Sequence, residues 1–178
     1  MEAKQCYSLI TKYYEEALTE LFSSFGCEVV KCNQEVSNLT SEPLARIDAG
    51  TFDLEVILIL NVPMTVLSLT YPVSGEIINI DDEALEDWLL ELSNLLIGKV
   101  KSKLINHNCI LQLGLPDAIF GGHLSSYQES SYDTTRVNLE VDGELIVTYI
   151  GVDFLCEHIS FDEAKGESTY VEGDLELF

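Results

Sequence analysis

The sequence predicts an α+β domain: two long helices packed on a largely antiparallel β-sheet. Three observations carry that expectation. Apolar residues recur at three- and four-residue intervals in two long stretches, one near the start and one near the middle. Short segments rich in Val, Ile, Leu and Thr lie between and after them, bounded by turn residues. The last two of those segments are joined by Asp142-Gly143, a two-residue connection that fits only an antiparallel hairpin.

In chain order, the first helix is expected from Glu2 to Phe25. Leu9, Ile10, Tyr13, Tyr14, Ala17, Leu18, Leu21, Phe22 and Phe25 share one face, and Gly26 supplies a stop. Strand-like text follows in CEVVKCNQEV, ARIDAG and FDLEVILIL, with the hairpin turn at Gly50 to Asp53. VPMTVLSLTYPVSG is ambiguous: its composition favours a strand, while its spacing also suits a short helix. The second long helix starts at Asp81 or Asp82, either of which can cap it. Glu83 and Glu86 then meet the positive end of its dipole, and Lys99, Lys101 and Lys103 the negative end. CILQLGLP, a loop with Gly121-Gly122 and the connector SSYQESSYD lead to the strands VNLEV and ELIVTYIGVDF. One domain over residues 1–156 and an acidic tail over 157–178, loosely held or lying along a surface, complete the layout.

The composition narrows the function. The 178 residues are 47% hydrophobic, enough for a real core. Thirty-one acidic residues against nine basic ones give a formal net charge of -22. Nucleic acid and anionic membrane surfaces need a cationic footprint, so neither is an expected partner. A solvated, self-repelling surface accounts for the acidity by itself. The start MEAKQCYSLITKYYEEAL lacks the apolar run of a signal peptide, and no apolar stretch is long enough to span a membrane. With an odd count of five cysteines, the expectation is reduced thiols in a cytoplasm. No CxxC and no Cys/His cluster of zinc spacing occurs, so no metal site is expected. P-loop, GxGxxG and GxSxG patterns are also missing. His107 falls at a helix end, where a cap or dipole partner is the plain role. His123, after Gly121-Gly122 in a loop, could flank a site, but no nucleophile signature accompanies it; His158 is the third histidine.

One helical face is unusual. Leu85, Leu89, Leu92 and Leu96 form a narrow apolar stripe, with Trp88 and Leu95 flanking it on one side and Val100 on the other. Opposite lie Asp87, Glu91, Asn94, Gly98 and Lys101, rimmed by Leu90 and Ile97. Asn94 and Gly98 are both poor choices for a helix interior, costing up to about 1 kcal/mol for the glycine. Glu91 and Asn94 are surface neighbours at i, i+3. Solvated outer-face residues would explain the pair, but not the glycine. A glycine makes sense there if another chain approaches the helix closely.

The segment ELSNLLIGKVKSKLINHNCILQLGLPDAIFGG resembles the CheX/CheC family of chemotaxis phosphatases. The family pattern is Glu-x-x-Asn, a glycine four residues on, a lysine-bearing stretch ending in Leu, and a strand running into a Leu-Pro corner. Glu91, Asn94, Gly98, Lys101, Leu104, Leu115 and Pro116 match it in order. The resemblance implies a phosphatase acting on the phospho-aspartate of a CheY-like response regulator. Asn94 would orient the attacking water, and Glu91 would pair with the regulator's lysine. Asp87, Leu90, Ile97, Gly98 and Lys101 would form the partner-binding surface around them. The Mg2+ would be supplied in the partner regulator, leaving this chain with no cofactor of its own. In the first helix Glu16 is followed at the matching spacing by Thr19, so a single site is expected, as in CheX, and with it a homodimer. A catalytically silent module of the same fold, binding a regulator or another signalling protein, is the alternative.

Overall fold

The structure is a computed structural model that describes residues 2–32, 44–72, 80–119, 132–156 and 159–162. The first helix, α1, spans Ala3–Ser24, and Gly26 at φ +83° ends it in the left-handed conformation that glycine tolerates. Its buried face is Cys6, Ile10, Tyr14, Ala17, Leu18, Leu21 and Phe22, the face expected from the periodicity. Strands β1 (Val29–Lys31), β2 (Leu44–Gly50) and β3 (Leu54–Asn61) follow. The β2–β3 turn is closed by the Thr51 amide donating to the Leu54 carbonyl at 2.8 Å, while the Thr51 hydroxyl accepts from the Asp53 amide at 3.1 Å.

Met64–Thr70 is a helix, α2, which decides the ambiguous segment. Residues 73–79 lie outside the described residues. The long helix α3 spans Asp82–Leu104, and the Asp81 carboxylate accepts from the Ala84 amide at 3.0 Å as its cap. After α3 come β4 (Gln112–Leu113) and β5 (Asp117–Ile119), the second not foreseen from the sequence. β6 (Asp133–Val141) and β7 (Glu144–Phe154) pair across Asp142-Gly143, both at positive φ as a tight hairpin turn needs.

The strands form one antiparallel sheet in the order β1-β6-β7-β3-β2-β4, with β5 also on β2. On β3, Leu54, Val56, Leu58 and Leu60 point under the helices, and Ile57 and Ile59 join Leu44 on the opposite face. α1 packs over β6 and β7, α3 over β2 and β3, and the two helices pack on each other. This is the expected α+β architecture.

The far end of α3 is tied down by His107. Its Nδ1 lies 2.9 Å from the Asp162 carbonyl, which can only accept, so Nδ1 carries the proton there. Tyr13 Oη meets Nε2 at 2.8 Å, and the Asp162 amide donates to the His107 carbonyl at 3.0 Å. Ile159 and Phe161 are buried beside it. The start of the segment expected as a tail therefore lies along the end of the helix layer, while residues 157, 158 and 163–178 are outside the described residues.

Burial also pushes the Cys109 thiol up to about 12, with the nearby Cys6 and Asp53 adding to the effect. Because the thiolate is the reactive form, alkylation of the folded protein at about pH 8 should modify exposed Cys156 and spare Cys109. Peptide mass mapping before and after denaturation reads this directly; rapid native labelling of Cys109 would contradict the packing.

Candidate functional site

α3 is held in one rotational setting from both ends. Near its start, the Trp88 indole N–H donates to Thr70 Oγ1 at 3.0 Å, and Phe25 and Tyr71 pack edge-on against the indole. Near its end, Lys103 donates to Glu20 at 2.7 Å and to Glu16 at 3.4 Å, both on α1. Burial works against the Lys103 charge, but the two carboxylates outweigh it and hold the ammonium above its ordinary range. With these contacts made, Leu85, Leu89, Leu92, Leu96 and Val100 are buried beneath the helix.

Asp87 and Glu91 are exposed, and Asn94, Gly98, Lys101 and Leu90 are half-buried on the outer face or its rim. The structure thus brings together the sequence-predicted Glu91 and Asn94. Asn94 Nδ2 donates to Glu91 Oε2 at 3.5 Å, a long and weak bond. Among the described residues the Asn94 amide makes no other side-chain hydrogen bond, so it is available to a partner. Both an acceptor and two donors stand at the surface without added charge. At Gly98, a Cβ would meet nothing within 4 Å. Among the described residues nothing demands a glycine there.

Two expectations about this face need correcting. Ile97 does not rim it: the side chain is 0% exposed and belongs to the core. Leu95, placed beside the buried stripe, is 38% exposed instead. The helix is turned so that one flank lies against α1 and the other against β2 and β5, which takes Ile97 inward and leaves Leu95 out. Ser93 also goes inward, where its hydroxyl donates to the Leu90 carbonyl at 2.7 Å.

The outer face of α3 is convex. Two hollows lie away from it, one beside Arg46, Asp48, Glu55 and Gln112 and another beside Lys4, Leu9, Lys12 and Phe161. Neither includes Glu91 or Asn94. Among the described residues no cluster of His, Cys, Asp and Glu could hold a metal ion, and no helix is long and apolar enough to cross a membrane. His123 and His158 lie outside the described residues. The Glu91 carboxylate and the Asn94 amide thus stand together on the solvent side of α3.

No protein-family model matches the sequence, and no curated protein does. Solved structures do match the fold. A CheC-like superfamily protein from Shewanella sp. PV-4 superposes with a TM-score of 0.63 at 15% identity, over 82% of this chain and 97% of that one. Chemotaxis protein CheX from Vibrio vulnificus gives 0.66 at 11%, over 81% and 96%. The CheX–CheY complex with BeF3 and Mg from Borrelia burgdorferi gives 0.54 at 16%, over 79% and 97%. At such identities the likeness is one of architecture. From α1 to β7, the chain has the α+β fold of the CheX/CheC-like chemotaxis proteins.

Proposed function

We propose that this protein is a phosphatase for the phospho-aspartate of a CheY-like response regulator. The observation that carries the reading is the Asn94 amide, bonded only weakly to Glu91 on the outer face of α3, one turn from a glycine with no described atom within 4 Å of its Cβ position. The fold it shares with a CheX protein solved in complex with CheY adds support.

An acyl phosphate is already activated, so its hydrolysis depends on a well-placed water more than on a strong base. The Asn94 carboxamide enters the regulator's phosphorylation pocket. It accepts from and donates to the groups that hold the water in line with the phosphorus. Glu91 pairs with the regulator's lysine and holds the two proteins in register. Mg2+, carried by the regulator, neutralises charge on the phosphoryl oxygens. Asp87, Leu90 and Lys101 contact the regulator around this centre, and the bare backbone at Gly98 allows its surface to come close.

Loss of phosphoryl label from a phosphorylated CheY-type regulator tests this. Asn94→Ala should reduce the acceleration by roughly a hundredfold or more, the scale for removing one positioned donor. Glu91→Ala should chiefly raise the regulator concentration needed for half-maximal rate. Binding without acceleration, indifferent to Asn94→Ala, would instead establish a silent docking module.

Gly98→Ala separates stability from function. With nothing within 4 Å of the added methyl, it should stabilise the helix by up to about 1 kcal/mol in urea denaturation and yet slow dephosphorylation. A variant both more stable and fully active would show that nothing approaches Gly98.

A further inference from the structure

β4 and β5 are two halves of one interrupted edge strand. Leu113 pairs with Ala49 and Asp117 with Arg46, so Gly114, Leu115 and Pro116 stand opposite only Ile47 and Asp48 of β2. Three residues against two is a bulge. Its geometry is specified. The Gly114 amide donates to the Asp48 carbonyl at 2.7 Å, and a Cβ on Gly114 would come within 2.9 Å of that oxygen. Pro116 has no N–H to offer and suits an edge. The bulge leaves Leu115 91% exposed, while Leu113, on the helix side of the sheet with its partner Ala49, is 40% exposed. Bulges at sheet edges re-aim side chains, and this one presents two leucines to solvent.

The position of this ledge follows from the rotation of α3. Trp88 and Lys103 mark the flank that faces α1 and α2. At about 100° per residue, Leu90 and Asn94 then fall towards the opposite flank, where β5 packs against α3. The edge strand that carries the two leucines therefore lies on the flank of α3 towards which Asn94 is turned.

We infer that Leu113 and Leu115 form a second docking contact for the regulator that Asn94 serves. This rests on the phosphatase reading and extends it to how the partner is chosen. The occupant is identified by charge. α3 presents Asp87 and Glu91, and the chain carries a net charge of -22, so a partner with an acidic rim would be repelled. The regulator that fits has an apolar patch beside its phosphorylation pocket and a basic rim. The leucines supply desolvated contact area, and the carboxylates steer the encounter.

The test measures dephosphorylation rate against regulator concentration, together with equilibrium binding of the phosphorylated regulator, for the native protein, Leu115→Ser, Asp87→Asn and Asn94→Ala. Leu115 is exposed enough that Leu115→Ser should unfold at the native urea midpoint. Leu115→Ser should raise the half-saturating concentration and Kd by roughly tenfold, leaving the saturating rate unchanged. Asn94→Ala should do the reverse. Added salt should weaken native and Leu115→Ser binding by the same factor, and Asp87→Asn should flatten that dependence. Native affinity in Leu115→Ser, with Asn94→Ala still inactive, overturns the ledge and leaves the phosphatase standing. Binding weakened by Leu115→Ser without any acceleration keeps the ledge and overturns the phosphatase. Absence of binding overturns both.

Discussion

The site depends on the rotational setting of α3. A helix has no register of its own on a sheet; its side chains and their partners choose it. Six aliphatic side chains of α3, from Leu85 to Val100, are buried against β2, β3 and α1, each contributing roughly 1.5–3 kcal/mol relative to exposure. That burial sets the face but tolerates some rolling. The polar contacts remove the tolerance. Trp88 must place its indole N–H on Thr70, and Lys103 must reach Glu16 and Glu20. One contact lies near each end of the helix, and between them Glu91 and Asn94 are carried to the surface. A shift of one residue, about 100°, would bury a carboxylate or expose Leu89 to water.

The rest of the fold serves the same setting. α2 buries Val66 and Leu67 in the core and presents Thr70 and Tyr71 to Trp88. At the other end the single turn Ile105–His107 closes α3, and His107 links Tyr13 of α1 to the chain at Asp162. Both ring nitrogens of this buried side chain are engaged, Nδ1 with the Asp162 carbonyl and Nε2 with the Tyr13 hydroxyl. Its role is structural. The helix-end role expected from the sequence is correct in place, though the partners are a tyrosine and a distant carbonyl rather than the α3 carbonyls.

Much of the architecture could be seen in the sequence because local signals agreed with the tertiary result. The α1 face, the Asp81 cap, Gly26 and the Asp142-Gly143 turn are all set by chemistry within a few residues. α2 could not be seen as clearly, since seven residues offer barely two turns of periodicity and no side-chain cap. β5 was hidden because its pairing to β2 is decided by the bulge, whose geometry depends on a carbonyl far away in sequence. Leu95 and Ile97 exchanged roles for a related reason. A helical wheel centres the buried arc on its richest stripe, whereas here the arc is centred by two unequal neighbours, α1 on one flank and the sheet on the other. Glu91 and Asn94 were legible because they lie far enough from either boundary to stay outside under both centrings.

Exposure on a helix surface changes what these residues can do. An enclosed site can desolvate its substrate and so strengthen every electrostatic contact within it; an exposed helix cannot. Glu91 and the Asn94 amide stand in water until another surface covers them. Under the proposed phosphatase reading, an ionised side chain at position 94 would lose that hydration on docking beside phosphoryl and carboxylate charge, at a cost of several kcal/mol. A neutral amide avoids most of that loss and keeps both donor and acceptor. The asparagine and the nearby glycine weaken α3 where it can be spared, since helix strength there comes from the packed stripe beneath. The low helix propensity at 94 and 98 is thus compatible with a rigid site. Its rigidity is supplied from the core side, which leaves the solvent side free of packing demands.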